Sequence, residues 1–156
     1  YTMKYELILM LAVLLCSCVP VQTSINEAIS FSTLMQGIHS QTRFERGELV
    51  VRDRLAWNKL QQQLVSQVAP YPPNIDFDKE MVVAVFYGEA LSGGYKIDID
   101  WVTETDDELI VHVREEVPGE GCFTTEALTY PYHVIRMNVS EKKLVFVREP
   151  VRFTCD

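Results

Sequence analysis

The chain has 156 residues, 47% of them hydrophobic and 23% charged, which suits one packed domain and excludes wholesale disorder. Its formal net charge is −8. That balance argues against a general nucleic-acid binder, which neutralises phosphates with clustered Lys and Arg; the densest positive group, Arg43, Arg46, Arg52 and Arg54, is interleaved with Glu45, Glu48 and Asp53.

In chain order, a short charged opening at Lys4 precedes an apolar run from Leu7 to Leu15. The run is too short to span a bilayer, which takes about 20 residues, and fits the apolar region of a signal peptide. Leu15-Cys16-Ser17-Cys18 then has the form of a bacterial lipobox, with Leu three positions before a cysteine and a small residue just before it. On this reading 1–17 is a lipoprotein signal peptide. Cys18 carries the lipid and becomes the first mature residue, and the protein sits at the bacterial cell envelope, lipid-anchored and facing the periplasm or the exterior. An ordinary cleaved signal or an uncleaved anchor, with Cys18 incidental, is the alternative. Residues 18–30, with Pro20, Gln22, Thr23, Ser24 and Asn26, read as a tether, and 31–156 as the domain.

Within the domain, Phe31 to Met35 and Gly47 to Arg52 read as strands. Asp53 has the character of a helix N-cap. In "RLAWNKLQQQLVSQV", Trp57, Leu60, Leu64 and Val68 recur at helical spacing, widened by Leu55 and Ala56, until Pro70, Pro72 and Pro73 forbid continuation. Met81 to Tyr87 is an apolar run without alternation, which predicts a strand covered on both faces. Tyr95, Ile97, Ile99 and Trp101 (or Val102) alternate with Lys96, Asp98 and Asp100, predicting a half-exposed strand. Leu109 to Arg114 is expected to complete a meander with it and the central strand. His133 to Val139 forms another strand, and Leu144 to Phe153 a last strand or pair broken at Pro150. One helix among many strands predicts an α+β domain: a curled antiparallel sheet, half-barrel or sandwich-like, with the helix packed on it. No second helix is available for a parallel crossover.

No reaction centre assembles from the motifs. There is no G-x-S-x-G elbow, no H-E-x-x-H, no P-loop, and no calcium-loop spacing at Asp106-Asp107-Glu108. His112 falls on the exposed phase of its strand, His133 reads as structural, and His39 lies in a turn-like segment. The reading is therefore of a protein without catalytic residues, metal or cofactor, and without a small-molecule substrate. An enzyme would need His39 or His133 in a cleft beside a carboxylate or Cys122.

Two glycine-bearing loops are long for simple turns. One is Leu91-Ser92-Gly93-Gly94-Tyr95; the other contains Gly119, Glu120 and Gly121 and runs into Cys122. Loops on a rigid sheet are where binding residues concentrate, so both are candidate partner-binding loops. A hairpin turn with a bulge and a loop pinned by its cysteine are the plainer alternatives. Export would permit disulfides, and with Cys16 removed and Cys18 lipidated, Cys122 and Cys155 remain as one pair or as two free thiols.

The segments "IDFDKEMVVAVFYGEALSGGYKIDI" and "PGEGCFTTEALTYPYHVIRM" resemble the C-terminal domain of the protease-complex subunit PrcB. The likeness rests on Asp76-Phe77, Gly88, Gly93-Gly94-Tyr95, Gly121-Cys122 and Pro131-Tyr132, and extends over about residues 36 to 147. The family often carries Pro-Thr ahead of the double glycine, where this chain has Leu91-Ser92. The resemblance implies an exported lipoprotein that binds another protein, a secreted or surface protease among the candidates, and stabilises its complex. A glycine-rich loop ending in an aromatic is also similar to loop-inserting protease inhibitors of the chagasin type.

Overall fold

The computed structural model describes residues 27–64 and 74–155; the lipobox with Cys18, and Val68 with the prolines that follow it, lie outside them. The described chain forms β1 (Glu27–Ile29), β2 (Phe31–Gly37), β3 (Gly47–Val51), α1 (Arg54–Leu64), β4 (Glu80–Phe86), β5 (Lys96–Glu104), β6 (Glu108–Pro118), β7 (Tyr132–Asn138) and β8 (Lys143–Phe153). The strands make two four-stranded sheets, β1-β5-β6-β8 and β2-β7-β4-β3. The α+β architecture expected from the pattern is present, as two curled sheets with α1 on the outside of the second.

The layering explains the sequence pattern. Met81, Val83 and Val85 of β4 point into the space between the sheets, with Ile97, Ile99, Val102, Leu109, Val111, Val113, Ile135 and Met137. Val82, Ala84 and Phe86 point the other way, against Trp57, Leu60 and Leu64 of α1 and Ile75. A strand buried on both faces has no polar phase, so β4 reads as an unbroken apolar run. Each large side chain buried this way contributes roughly 1.5–3 kcal/mol. The helix starts as expected, with the Ala56 amide donating to the Asp53 carboxylate at 2.8 Å. Leu55, read as part of its apolar face, is instead exposed.

Three departures from the sequence expectation set the shape. First, β4, β5 and β6 are not a meander: β4 lies in one sheet and β5 and β6 in the other, so the Tyr87–Tyr95 segment is a crossing between sheets, too long for a hairpin. Second, β1 lies inside the stretch read as a tether; three residues are too few to display alternation. β1 pairs with Glu104 to Val102 of β5, and after Ser30 the chain bends into β2, which pairs with β7 in the other sheet. Third, β8 runs unbroken through Pro150 and pairs in parallel with β6. An edge strand tolerates proline because one of its sides has no ladder to complete.

Two bulges settle the ambiguous phases. The β5–β6 register shifts between Ile99 and Trp101, which turns Val102 inward and leaves Trp101 exposed and stacked on His112 at 4.6 Å between ring centroids. The β2–β7 register shifts between Thr33 and Met35. Buried His133 spans the two irregularities. The Ile99 amide donates to its Nδ1 at 2.9 Å, and its Nε2 lies 2.8 Å from the Thr33 hydroxyl. With Nδ1 accepting, the proton sits on Nε2 and the imidazole is neutral.

At the opposite seam, Glu115 of β6 is 2% exposed and pairs with Arg46 at 2.8 Å and Arg148 of β8 at 2.6 Å. Arg148 also donates to Glu48 and to the carbonyls of Gly47 and Phe86, tying the β8 edge to β3 and to the end of β4. Removing one member of a buried charged network strands the others. Glu115→Ala is expected to lower stability by about 3 kcal/mol in urea titrations, whereas Arg46→Ala, whose side chain is half exposed, costs about 1 kcal/mol or less.

Burial holds the His133 pKa below its ordinary value, outweighing the upward pull of Asp98 and Asp100; Lys96 acts in the same direction as burial. Below about pH 6.5 the unfolded chain takes up a proton that folded His133 refuses, so stability falls with pH from there down to the lowered folded value. His133→Gln is expected to flatten the stability–pH slope across that window by up to about 1.4 kcal/mol per pH unit. Urea titrations of both proteins at several pH values measure the difference.

Candidate functional site

Three loops gather at one end of the sandwich. They join β2 to β3 (38–46), β4 to β5 (87–95) and β6 to β7 (119–131). The sequence singled out the second and third; the first carries no glycine and escaped notice. The Tyr130 amide donates to the Ile38 carbonyl at 2.8 Å, and the Arg43 guanidinium lies over the Tyr130 ring. Phe44 stacks on Phe86 at 4.2 Å, and Arg46 lies over Tyr87. Burial raises the Tyr87 phenol above its usual value, and hydrogen bonding to Glu89 raises that of Tyr130.

The two glycine loops lie side by side. Ala90 and Thr129 form an antiparallel bridge, exchanging backbone hydrogen bonds at 2.9 Å. The Thr129 hydroxyl donates to the Ser92 carbonyl, and the Gly93 amide donates to the Thr125 carbonyl. These contacts define what the double glycine does. Gly93 is buried, and a Cβ there would stand 2.4 Å from the Thr125 hydroxyl. Gly94 has φ +87° and packs against Pro118 and Thr124. Both glycines serve the fit of one loop on the other. Tyr95 is half-buried, its ring 5.3 Å from that of Tyr87.

The third loop is also pinned from below. Cys122 and Cys155 form a disulfide with their Cα atoms 5.1 Å apart, and the Gly119 amide donates to the Phe153 carbonyl. Gly121, at φ +83°, turns outward with open space around it. Glu120 is exposed beside it.

The side chains presented to solvent are therefore not the glycines. Phe123 is fully exposed, Leu91 is 78% exposed, and Leu128 and Ile38 are more than 40% exposed. Leu91 and Leu128 each adjoin a residue of the Ala90–Thr129 bridge in sequence. Sequence reasoning named Leu91 and missed Phe123, Leu128 and Ile38, because an apolar residue near a strand reads as core unless its loop is known to project. Exposed apolar side chains clustered on a hydrogen-bonded platform mark interaction surfaces.

The groups considered for catalysis are dispersed. Cys122 is oxidised, both ring nitrogens of His133 are engaged inside the fold, and His112 stacks on Trp101 on the outer sheet face. Asp98, expected to face solvent, is buried between Gln36 and Lys96, with the ammonium at 2.8 Å. Among the described residues no three His, Cys, Asp or Glu side chains are placed to hold one metal ion.

Residues 81–138 match the family model described as PrcB C-terminal. Over this stretch the chain is similar to the PrcB C-terminal family. The stretch runs from β4 to β7 and contains both glycine loops, while β1, β2, β3, α1 and β8 lie outside it. No curated protein and no solved structure gives a significant match to the chain.

The matched stretch thus carries the paired loops but neither Cys155 nor the β2–β3 loop that completes their end of the sandwich. Gly94→Ala would force an L side chain to φ +87° with its Cβ 3.0 Å from Pro118. A loss of about 1–2 kcal/mol in thermal or urea unfolding is expected.

Proposed function

We propose that this protein is a non-catalytic, lipid-anchored envelope protein that binds another protein through the three-loop end of its sandwich, as a stabilising component of a protease complex. The observation carrying this reading is the exposure of Leu91, Phe123 and Leu128 on loops that hydrogen bonds and a disulfide hold in place. Leaving such side chains in water brings the isolated domain nothing. Burying them against a partner, on loops already ordered, gains apolar contact at small entropic cost. The name of the matching family supports a protease-related partner, and the lipobox at Cys18 supports an envelope location.

A second reading follows from the same geometry. Three adjacent loops projecting from one end of a β-sandwich suit insertion into a cleft, as in protease inhibitors of the chagasin type. Inhibition of a cysteine- or serine-protease panel by the purified protein distinguishes it from a stabilising subunit, which leaves such proteases active.

The test is crosslinking in native membranes followed by mass spectrometry, comparing the wild type with Leu91→Ser/Phe123→Ser. Both positions are exposed, so the double variant is expected to melt within a few degrees of the wild type and to lose its main crosslinked partner at least ten-fold. Equal recovery of the same partner by both proteins overturns the loop assignment. The same spectra are expected to place acyl mass on Cys18; an unmodified Cys18 overturns the lipid anchor.

A further inference from the structure

The β6–β7 loop is anchored at both ends and bare between. At its start, the Gly119 amide donates to the Phe153 carbonyl at 3.0 Å. From Thr124 onward it leans on the glycine loop beside it. Thr124 packs against Gly94, the Gly93 amide donates to the Thr125 carbonyl, and Ala90 and Thr129 exchange backbone bonds. Between these anchorages lie Glu120, Gly121, Cys122 and Phe123. Among the described residues, the backbone amides there make one hydrogen bond, a long local contact of 3.4 Å from Cys122 back to the Gly119 carbonyl. Gly121 has open space around it, and Phe123 is fully exposed. Cys122 Sγ lies 3.8 Å from the Phe153 carbonyl, but a disulfide sulfur has no proton to donate. The Cys122–Cys155 bond is therefore what fixes this stretch, and Phe123 with it, to the body of the fold.

The bridge lies on the surface. Cys155 is exposed and Cys122 is half-buried, and neither belongs to the two apolar clusters that fill the sandwich. Opening it breaks no strand pairing. β8 ends at Phe153, and its ladder with β6 runs to the Pro118–Phe153 pair without either cysteine. The Gly119–Phe153 bond and the Ala90–Thr129 bridge do not depend on it either. Cleavage thus frees the stretch from Glu120 to Phe123 and leaves both sheets whole.

We infer that the Cys122–Cys155 disulfide is a reducible latch: a dithiol reductant opens it in the folded protein, and opening it weakens partner binding by releasing Phe123. This rests on the loop-surface reading, in which Phe123 is one of the side chains that meet the partner. The exchange begins at Cys155, the more exposed residue of the pair. A thiolate of the reductant attacks Cys155 Sγ, the S–S bond breaks, and its electron pair leaves on Cys122 Sγ, which takes up a proton. The second thiol of the reductant then attacks the mixed disulfide on its own sulfur and expels the Cys155 thiolate, which is protonated in turn. The protein gains two electrons and two protons as a pair of thiols, and the dithiol is oxidised to a disulfide. A latched Phe123 docks with little ordering left to do, whereas a released one must be ordered on binding.

Three measurements test it. Dithiothreitol is expected to reduce the purified protein in native buffer at a rate that changes less than two-fold in sub-denaturing urea, read by alkylation and mass spectrometry. A rate that climbs with urea as global unfolding does makes the bridge a staple opened only in the unfolded chain, and overturns the latch. On reduction, backbone order parameters from amide nitrogen relaxation are expected to fall from about 0.85 to below about 0.6 between Glu120 and Phe123, and to hold in β4 and β7. Unchanged values at Glu120 to Phe123, or a fall in the strands as well, overturn it. In crosslinking from native membranes, Cys122→Ser/Cys155→Ser is expected to recover the partner at least five-fold less than the wild type. Full recovery by this variant, with loss by Leu91→Ser/Phe123→Ser, overturns the latch alone; full recovery by both overturns the loop surface and the latch with it.

Discussion

Buried Glu115 is the point on which the loop end of the molecule depends. Its two guanidinium partners come from different parts of the chain, Arg46 from the β2–β3 loop and Arg148 from the edge strand β8. Through Arg148 the same cluster reaches Glu48, Gly47 and Phe86. One carboxylate thus ties the open edge of the first sheet to the edge of the second, beside the place where β4 turns into its glycine loop. Such a cluster need not add net stability over an apolar seam, but breaking it leaves a charge in a dry place.

The other seam is arranged differently. There the covalent chain itself joins the sheets through Ser30, and the divergence of β2 from β5 is filled by neutral polar side chains. His133 and Gln36 occupy backbone groups of β5 that no strand pairs with. Each bond is paid for by ordering a side chain, and each stops short of the loop end. The two seams differ in kind: buried charge ties the loops on one side of the sandwich, and neutral polar side chains fill the divergence of the strands on the other.

The glycine loops carry a lesson about reading such motifs. Adjacent glycines in an exposed-looking loop suggest backbone presented to a partner. Here Gly93 is glycine because Thr125 stands where its side chain would go, and Gly94 because of its positive φ against Pro118. The glycines build the platform, and the neighbouring apolar side chains face outward from it. A turn motif identifies a backbone requirement; what the loop offers to solvent depends on which neighbours it packs against.

Local rules were sufficient wherever the determining contacts are close in sequence. The Asp53 cap, the apolar face of α1 through Trp57, Leu60 and Leu64, and the doubly covered strand β4 all follow from periodicity and capping, because burial on one face or both leaves a direct trace in residue order. The pairing of Cys122 with Cys155 was one of two arrangements left open by counting. The sheet to which each strand belongs, the bulge that turns Val102 inward, the burial of Asp98, the part played by the β2–β3 loop, and the exposure of Phe123 and Leu128 were decided only in three dimensions. Each depends on a partner far along the chain: Thr33 and His133 are 100 residues apart, as are Glu48 and Arg148. A strand's own residues record which of its faces is apolar, but they carry no mark of which neighbour supplies the cover or where that cover ends.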